Sequence, residues 1–191
     1  MSRLPEIFKL NTFELPRRAG EMKEYELDIE LLEKVGVELI AVQVGEIIEV
    51  DARLESVTEG VLLSAQIYAV ATGECIRCLD PVEIEIDKRI QELYLYEQKP
   101  ERKKHAPVVD DLDIEDELLM DGDFMDLEVP IRDSICLSLP NNPLCSDDCL
   151  GLCPECGVKW AELPQDHAHE VIDARWADLA GLAEEAPDFK N

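Results

Sequence analysis

Ile48-Glu49-Val50-Asp51-Ala52-Arg53-Leu54-Glu55 has the pattern of a half-buried β-strand. Apolar residues alternate with charged residues along its whole length, and a period of two places them on opposite faces of a β-strand. The same alternation recurs over residues 63–69 and again from residue 82 towards Tyr94. Thr58-Glu59-Gly60 separates the first two runs with turn-forming residues. We therefore predict antiparallel strands arranged as a hairpin or meander.

A helix is predicted downstream of these strands, over residues 126–139. Its apolar residues recur at helical spacing, which makes one side of the helix suitable for burial: Leu127, Ile131, Ile135 and Leu139. Asp126 is a good residue to cap its start, and Pro140 ends it. Cys136 lies beside the apolar stripe, so we expect it to be a core residue and not a ligand.

Residues 145–156 contain four thiols with the spacing C-x3-C-x3-C-x2-C. Thiolates are soft anionic donors, and a structural zinc ion is bound by four protein ligands in a tetrahedron, with no position open for water. We therefore predict a structural zinc site formed by Cys145, Cys149, Cys153 and Cys156. Free or buried thiols and a disulfide are the alternatives, although seven cysteines in a chain without a secretory pattern do not indicate a disulfide framework.

A second thiol pair, Cys75 and Cys78, leaves the ligand set open. Two distant C-x2-C pairs, 75/78 and 153/156, are the usual layout of a zinc ribbon. The smaller loop-closure cost favours the contiguous set instead. In that case the 75/78 pair is separate, and a thiol-based redox or metal-sensing regulator that uses it is the alternative function. His167 and His169 are metal ligands by residue type, but the nearer cysteines are preferred.

The composition restricts the classes of partner. The chain has 191 residues, with 18 Lys and Arg against 44 Asp and Glu, for a net charge of -26. Such a surface repels a phosphate backbone and favours a basic protein partner. Direct RNA contact is expected to be limited, with these candidate phosphate contacts: Arg17, Arg18, Lys103 and Lys104.

Several functions are not supported by any pattern in the chain. No apolar run approaches the roughly 20 residues that span a bilayer, and no secretory signal pattern is present. We therefore expect a soluble cytoplasmic protein without a membrane partner. Phosphate-binding, dinucleotide-binding, zinc-protease and serine-hydrolase motifs are also absent from the sequence. We predict no catalytic residue, no small-molecule substrate and no enzymatic activity.

The predicted organisation is an α+β fold: a mostly antiparallel twisted β-sheet or partial barrel, with one or two packed helices and a Cys-rich zinc loop. Five segments follow from the patterns. They are an N-terminal arm with the first elements (1–45), the antiparallel β region with its C-x2-C pair (46–96), a mobile basic and acidic insertion (97–125), the helix plus Cys-rich zinc loop (126–160), and a C-terminal short helix and tail (161–191).

Three motifs occur in a family-specific order. They are Gly73-Glu-Cys-Ile-Arg-Cys-Leu-Asp-Pro81, the helix Asp126–Pro140 ending in Leu-Ser-Leu-Pro, and Cys145-x3-Cys-Leu-Gly-Leu-Cys-Pro-Glu-Cys-Gly157. In this order the chain resembles the YceD family over roughly residues 45–182. Members of that family are described as large ribosomal RNA subunit accumulation proteins. The resemblance implies a role in ribosome biogenesis and brings no catalytic residue with it. A basic ribosomal protein or a pre-ribosomal large-subunit particle is the expected partner.

Overall fold

The computed structural model describes residues 6–96 and 118–169. Eight strands, one α-helix and two short 3-10 turns, Glu6–Phe8 and Trp160–Glu162, make up its regular structure. The strands and the helix are β1 (Lys9–Asn11), β2 (Met22–Glu30), β3 (Val35–Gly36), β4 (Ile40–Val42), β5 (Ile47–Ser56), β6 (Gly60–Glu74), β7 (Pro81–Leu95), β8 (Phe124–Asp126) and α1 (Glu128–Ser138).

Strand β6 is the centre of the main sheet. One of its edges pairs with β7 over its full length, from Gly60 opposite Leu95 to Glu74 opposite Pro81. Its other edge is shared, because β5 pairs with the first part of β6 and β4 with the last part. All these pairings are antiparallel, and β2 and β3 extend the sheet beyond β5 and β4. The strand order does not return on itself, so the sheet is open and not a closed barrel.

The alternation seen in the sequence sets which face of the sheet is buried. Along β5 the apolar residues Ile48, Val50, Ala52 and Leu54 are each at most 2% exposed, while the charged residues between them face solvent or are half-buried. Along β6 the same alternation buries Leu63, Ala65 and Ile67. A sheet with one apolar and one polar face needs a cover on the apolar side only.

Helix α1 provides part of that cover by packing against β7 and β3. The residues of its predicted stripe are all buried: Leu127, Ile131, Ile135 and Leu139. The Asp126 carboxylate accepts the Glu128 N–H at 3.0 Å, as expected near a helix start. The Cys136 thiol is half-buried and donates to the Gly36 carbonyl at 3.5 Å. The predicted class, α+β with a mostly antiparallel sheet and a packed helix, is confirmed.

Two segments are more ordered than the sequence interpretation assumed. The predicted N-terminal arm contains β2, which pairs with β5 along all nine of its residues. The predicted insertion ends in packed structure, because Met120 and Met125 are buried and β8 pairs with β1. Predictions for 97–117 and 170–191, including mobility, the C-terminal helix and the contacts of Lys103 and Lys104, lie outside the described residues.

Candidate metal centre

The connection between β6 and β7 is a tight cysteine loop that starts with Cys75 and Cys78. The N–H of Cys75 donates to the Asp80 carbonyl at 2.8 Å, and the N–H of Leu79 donates to the Cys75 carbonyl at 2.9 Å. Leu79 closes the loop with a φ of 61°, in the left-handed region that a leucine seldom adopts. We call residues 75–80 the first knuckle.

Residues 153–158 repeat this backbone arrangement and form the second knuckle. The N–H of Cys153 donates to the Val158 carbonyl at 2.8 Å, and the N–H of Gly157 donates to the Cys153 carbonyl at 2.8 Å. Gly157 has a φ of 69° and occupies the place that Leu79 occupies in the first knuckle. Each knuckle therefore presents two thiols, three positions apart, from the same type of turn.

Backbone hydrogen bonds fasten the segment between helix and second knuckle onto the first knuckle. Ile76 donates its N–H to the Pro143 carbonyl at 3.0 Å, and Leu152 donates to the Arg77 carbonyl at 3.1 Å. Gly151, with a φ of 79°, is so close that a Cβ there would lie 2.9 Å from the Arg77 carbonyl oxygen. The Arg77 guanidinium also donates to the Cys149 carbonyl at 2.8 Å. We call residues 143–152, with their hydrogen bonds to the first knuckle, the seam. The seam brings thiols that are distant in sequence into one region.

The first ligand group combines the first knuckle with two thiols of the seam. The Sγ atoms of Cys75 and Cys149 are 3.8 Å apart, and those of Cys78 and Cys145 are 3.4 Å apart. All four sulfurs lie within 4.8 Å of one another. Thiolates around a tetrahedral zinc are about 3.8 Å apart when each Zn–S bond is about 2.3 Å. A disulfide requires about 2.0 Å, and all seven cysteines are free. The group could hold a metal ion.

The second ligand group combines the second knuckle with two histidines. Cys153, Cys156, His167 and His169 offer ligand atoms that all lie within 4.8 Å of one another. The Cys156 sulfur is 3.6 Å from the His167 Nε2 atom. The two imidazole rings meet edge to face, with their centroids 4.4 Å apart. This group could also hold a metal ion.

The structure therefore divides the predicted contiguous set of four thiols. Cys145 and Cys149 join Cys75 and Cys78, whereas Cys153 and Cys156 lie in the second group. The ribbon pairing of 75/78 with 153/156 is not formed either. The sheet and the hydrogen bonds of residues 143–152 hold the first knuckle beside these residues, so loop-closure cost does not decide which thiols come together. The C-x2-C pattern shared by the two knuckles is the sequence signal that could have indicated two similar sites.

The three sequence motifs all lie within the range matched in a comparison to known families. A family model described as "Large ribosomal RNA subunit accumulation protein YceD" matches residues 63–183. The chain belongs to the YceD family. The matched range begins within β6 and contains both knuckles and both ligand groups of this YceD chain.

Relatives of this YceD chain occur in mycobacteria. "Uncharacterized protein Rv2926c" of Mycobacterium tuberculosis is 41% identical over 169 residues, which cover 88% of this chain and 77% of the relative. "Uncharacterized protein ML1660" of Mycobacterium leprae is 34% identical over 176 residues, covering 91% and 76% respectively. No solved structure matches the chain. Within residues 6–96 and 118–169, no helix combines the length and apolar character that crossing a membrane requires.

Without a cation, the thiols of the first group ionise unequally. Burial opposes ionisation of Cys75, but the backbone N–H groups of Cys145, Arg77 and Cys78 outweigh it and lower the Cys75 pKa to about 6. The N–H of Asp80 favours the Cys78 thiolate, but burial and the neighbouring thiols raise the Cys78 pKa well above its usual range. Neighbouring thiolates repel one another, and a bound divalent cation would neutralise this repulsion. Each metal-bound thiol would then be deprotonated. The donor set therefore fits a metal ion.

The two knuckles are also joined by an ion pair. The Lys159 ammonium lies 2.7 Å from the Asp80 carboxylate. Its hydrogen bond to Asp80 is the largest cause that lowers the Asp80 pKa. A lowered carboxyl pKa contributes stability above the unfolded-state pKa, and this contribution is lost as the pH falls through the folded-state value. The link between the knuckles therefore weakens as the pH falls through the folded-state pKa of Asp80 and, because the same pair raises the Lys159 pKa, as the pH rises through that of Lys159.

Two of the predicted phosphate contacts, Arg17 and Arg18, lie within the described residues, and neither belongs to a ligand group. Arg17 binds the Asp123 carboxylate at 2.7 Å and the Gly122 carbonyl at 2.8 Å, and its guanidinium lies 5.0 Å from the centre of the Tyr96 ring. The Arg17 guanidinium is therefore already paired with a carboxylate of the same chain. Arg18 is exposed.

Substitutions at the left-handed positions test the knuckle geometry. We expect Leu79→Gly to raise the free energy of unfolding of the metal-loaded protein by about 0.5–1 kcal/mol. Relief of left-handed strain is worth about 1–2 kcal/mol, and the added freedom of glycine in the unfolded chain cancels part of it. The Leu79 side chain is 60% exposed, so little apolar burial is lost. Urea unfolding measures the difference.

The matched variant is Gly157→Ala, which we expect to lower the free energy of unfolding by about 1 kcal/mol. No atom lies within 4 Å of the added Cβ, so the cost comes from the backbone and not from a clash. A loss of stability in Leu79→Gly would contradict this account.

Proposed function

We propose that this chain is a non-enzymatic ribosome biogenesis factor. It supports the accumulation of large-subunit ribosomal RNA by binding a basic ribosomal protein on the pre-ribosomal particle in the cytoplasm. The description of the YceD family supports the ribosomal role. The mode of binding is supported by the outer face of the sheet, which lies opposite the core. On this face the strand register places many carboxylates close together.

Carboxylates dominate this outer face. The paired positions of β2 and β5 place Glu26 directly opposite Asp51 and Asp28 directly opposite Glu49. Like charges directly opposite each other on a sheet are destabilising. The face carries further carboxylates on β2, β5 and β7: Glu24, Glu30, Glu55, Glu83, Glu85 and Asp87. Folding does not require such pairs, and a positively charged partner would relieve the repulsion.

The same face offers apolar contact between the charges. Tyr68 is 38% exposed and Val70 is 43% exposed. Tyr68 lies between Glu49 and Asp87 in the strand register, and Val70 lies opposite Glu85. A groove of about 680 Å³, in which Arg53 and Arg89 lie among the carboxylates, runs across the neighbouring part of β2, β5, β6 and β7. A basic segment that also carries apolar side chains would match this combination, because exposed aromatic residues within a charged rim favour protein partners.

In this proposal the metal has a structural role. A zinc ion bound by Cys75, Cys78, Cys145 and Cys149 would have no position left for water, so it would fix the loop and would not catalyse a reaction. It would fasten residues 140–152 to the β6–β7 end of the sheet. The loop would then be a rigid part of the surface that meets the particle.

Neutralising the paired carboxylates tests the proposed face. We expect the variant Glu26→Gln, Asp28→Asn, Glu49→Gln, Asp51→Asn to recover at least about tenfold less ribosomal protein in a pull-down at moderate salt. The same variant should be more stable to urea by roughly 0.5–1 kcal/mol, since two like-charge pairs are removed. Misfolding would lower the stability to urea, so a loss of binding together with a gain of stability would not result from misfolding.

A matched control removes the same charge from exposed positions outside the face: Glu6→Gln, Glu21→Gln, Glu38→Gln and Glu59→Gln. We expect this control to retain the partner. Equal loss in both variants would show that only net charge matters. If the wild-type protein recovers neither a ribosomal protein nor a pre-ribosomal particle, the proposed function is wrong.

The alternative function is a thiol-based redox or metal-sensing regulator that uses Cys75 and Cys78. The lowered Cys75 pKa favours it, because the thiolate is the reactive form. However, Cys75 is fully buried and Cys78 is 6% exposed, so access is restricted. Rapid alkylation of Cys75 in the metal-loaded protein would support the alternative, and protection until a chelator is added would support the structural role.

A further inference from the structure

We propose that Cys153, Cys156, His167 and His169 form a second zinc site, separate from the group built on Cys75. The chain then holds two zinc ions, one with four sulfur ligands and one with two sulfur and two nitrogen ligands. This inference does not depend on the ribosomal role, because it concerns only the residues of the chain.

The repeated knuckle is the first argument. Both cysteine loops carry the same pair of backbone hydrogen bonds and a left-handed residue immediately after the second cysteine. Each loop therefore contributes its thiol pair to a different ligand group. The first knuckle completes its group with Cys145 and Cys149, and the second with His167 and His169. Each group contains four ligands, so neither ion needs a ligand from the other group.

The donor types and distances are the second argument. Two cysteines and two histidines are an established ligand set of structural zinc. Zn–S and Zn–N bonds of about 2.3 Å and 2.0–2.1 Å place a sulfur and a nitrogen about 3.6 Å apart in a tetrahedron. The Cys156 sulfur and the His167 Nε2 atom are 3.6 Å apart. The edge-to-face arrangement of the two imidazoles allows both rings to point a nitrogen towards one centre.

The path of the chain is the third argument. None of the residues 161–169 is buried, so the segment has little apolar packing to hold it in place. It nevertheless returns both histidines to the thiols of the second knuckle. The Trp160 ring lies beside His167, with the ring centroids 5.6 Å apart. The backbone N–H of Trp160 donates to the Gly151 carbonyl at 3.0 Å. Zinc bound at this point would supply the free energy that surface packing does not.

Zinc content per chain tests the proposal. The full chain is purified without chelator, incubated anaerobically with excess zinc and desalted, and its bound zinc is measured by elemental analysis and native mass spectrometry. We expect two ions in the wild type, one in His169→Ala and one in Cys149→Ser. The exposed position of His169 makes its variant the safer one to fold. Cys136→Ser, outside both groups, should keep two ions.

A spectroscopic readout separates the two sites. After replacement of zinc by Co²⁺, His169→Ala should keep the absorption of a centre with four thiolates. Cys149→Ser should keep that of a centre with two thiolates, which has weaker sulfur-to-metal charge transfer. One ion in the wild type, or two ions in a folded His169→Ala variant, would overturn the proposal. A wild type that stays free of zinc after reconstitution would do so as well.

Discussion

Replacing Cys149 with serine is expected to remove the zinc ion of the first group and to lower the free energy of unfolding by at least about 4 kcal/mol. Structural zinc contributes directly to folding, and loss of a metal is one of the few causes of such large effects. Removal of one thiolate also leaves the sulfurs of Cys75 and Cys78 buried without the cation that would bind them. Urea unfolding and metal analysis of the same sample measure both effects.

The matched control is Cys136→Ser, because Cys136 belongs to neither ligand group and a hydroxyl can still donate to the Gly36 carbonyl. We expect full metal content and a change in the free energy of unfolding below about 1 kcal/mol. Hydrogen exchange should show increased opening of residues 140–160 in Cys149→Ser only. A Cys149→Ser protein with unchanged zinc and unchanged stability would refute the structural role of the first group.

The contact of α1 with the sheet is expected to give the second large effect. Ile135 is fully buried on the inner side of the helix. Truncation to alanine removes apolar contacts and leaves a cavity, so Ile135→Ala should lower the free energy of unfolding by about 3–4 kcal/mol. The midpoint of urea unfolding should fall accordingly, while zinc content after folding should be unchanged.

Leu137→Ala is the control on the same helix, because Leu137 is 88% exposed. We expect a change of less than about 0.5 kcal/mol, since surface substitutions seldom have larger effects. A similar loss in both variants would mean that the outer side of α1 is also covered in solution.

Much of this fold could be predicted from residue alternation alone. Residues 48–55 and 63–69 lie within β5 and β6, and the strand predicted from Val82 towards Tyr94 is β7. The helix was predicted correctly because its apolar residues recur at helical spacing on the side that meets the sheet. Alternation also marks β2, in Tyr25, Leu27 and Ile29, although this run lies within the segment predicted as an N-terminal arm with the first elements.

The grouping of the ligands could not be obtained in the same way. Sequence spacing measures the cost of closing a loop in a free chain. In the folded protein the β6–β7 connection is already held beside Pro143 by a backbone hydrogen bond, so Cys75 reaches Cys149 at little further cost. The sequence favoured the nearer cysteines over His167 and His169, whereas the structure brings both histidines beside Cys153 and Cys156. Residue type identified the ligand candidates, and only the tertiary structure assigned them to two groups.

The seam between the first knuckle and residues 143–152 has a consequence for synthesis of the protein. When Cys75 and Cys78 leave the ribosome, their partners Cys145 and Cys149 have not yet been translated. A nascent chain therefore carries only two of the four thiols of the first group, and the group is complete only after the helix has been made and docked. Under the proposed zinc binding, incorporation of the ion would mark a chain whose sheet and helix have already formed, and shortage of zinc during growth should leave full-length chains with a formed sheet and with residues 140–152 unfastened from it.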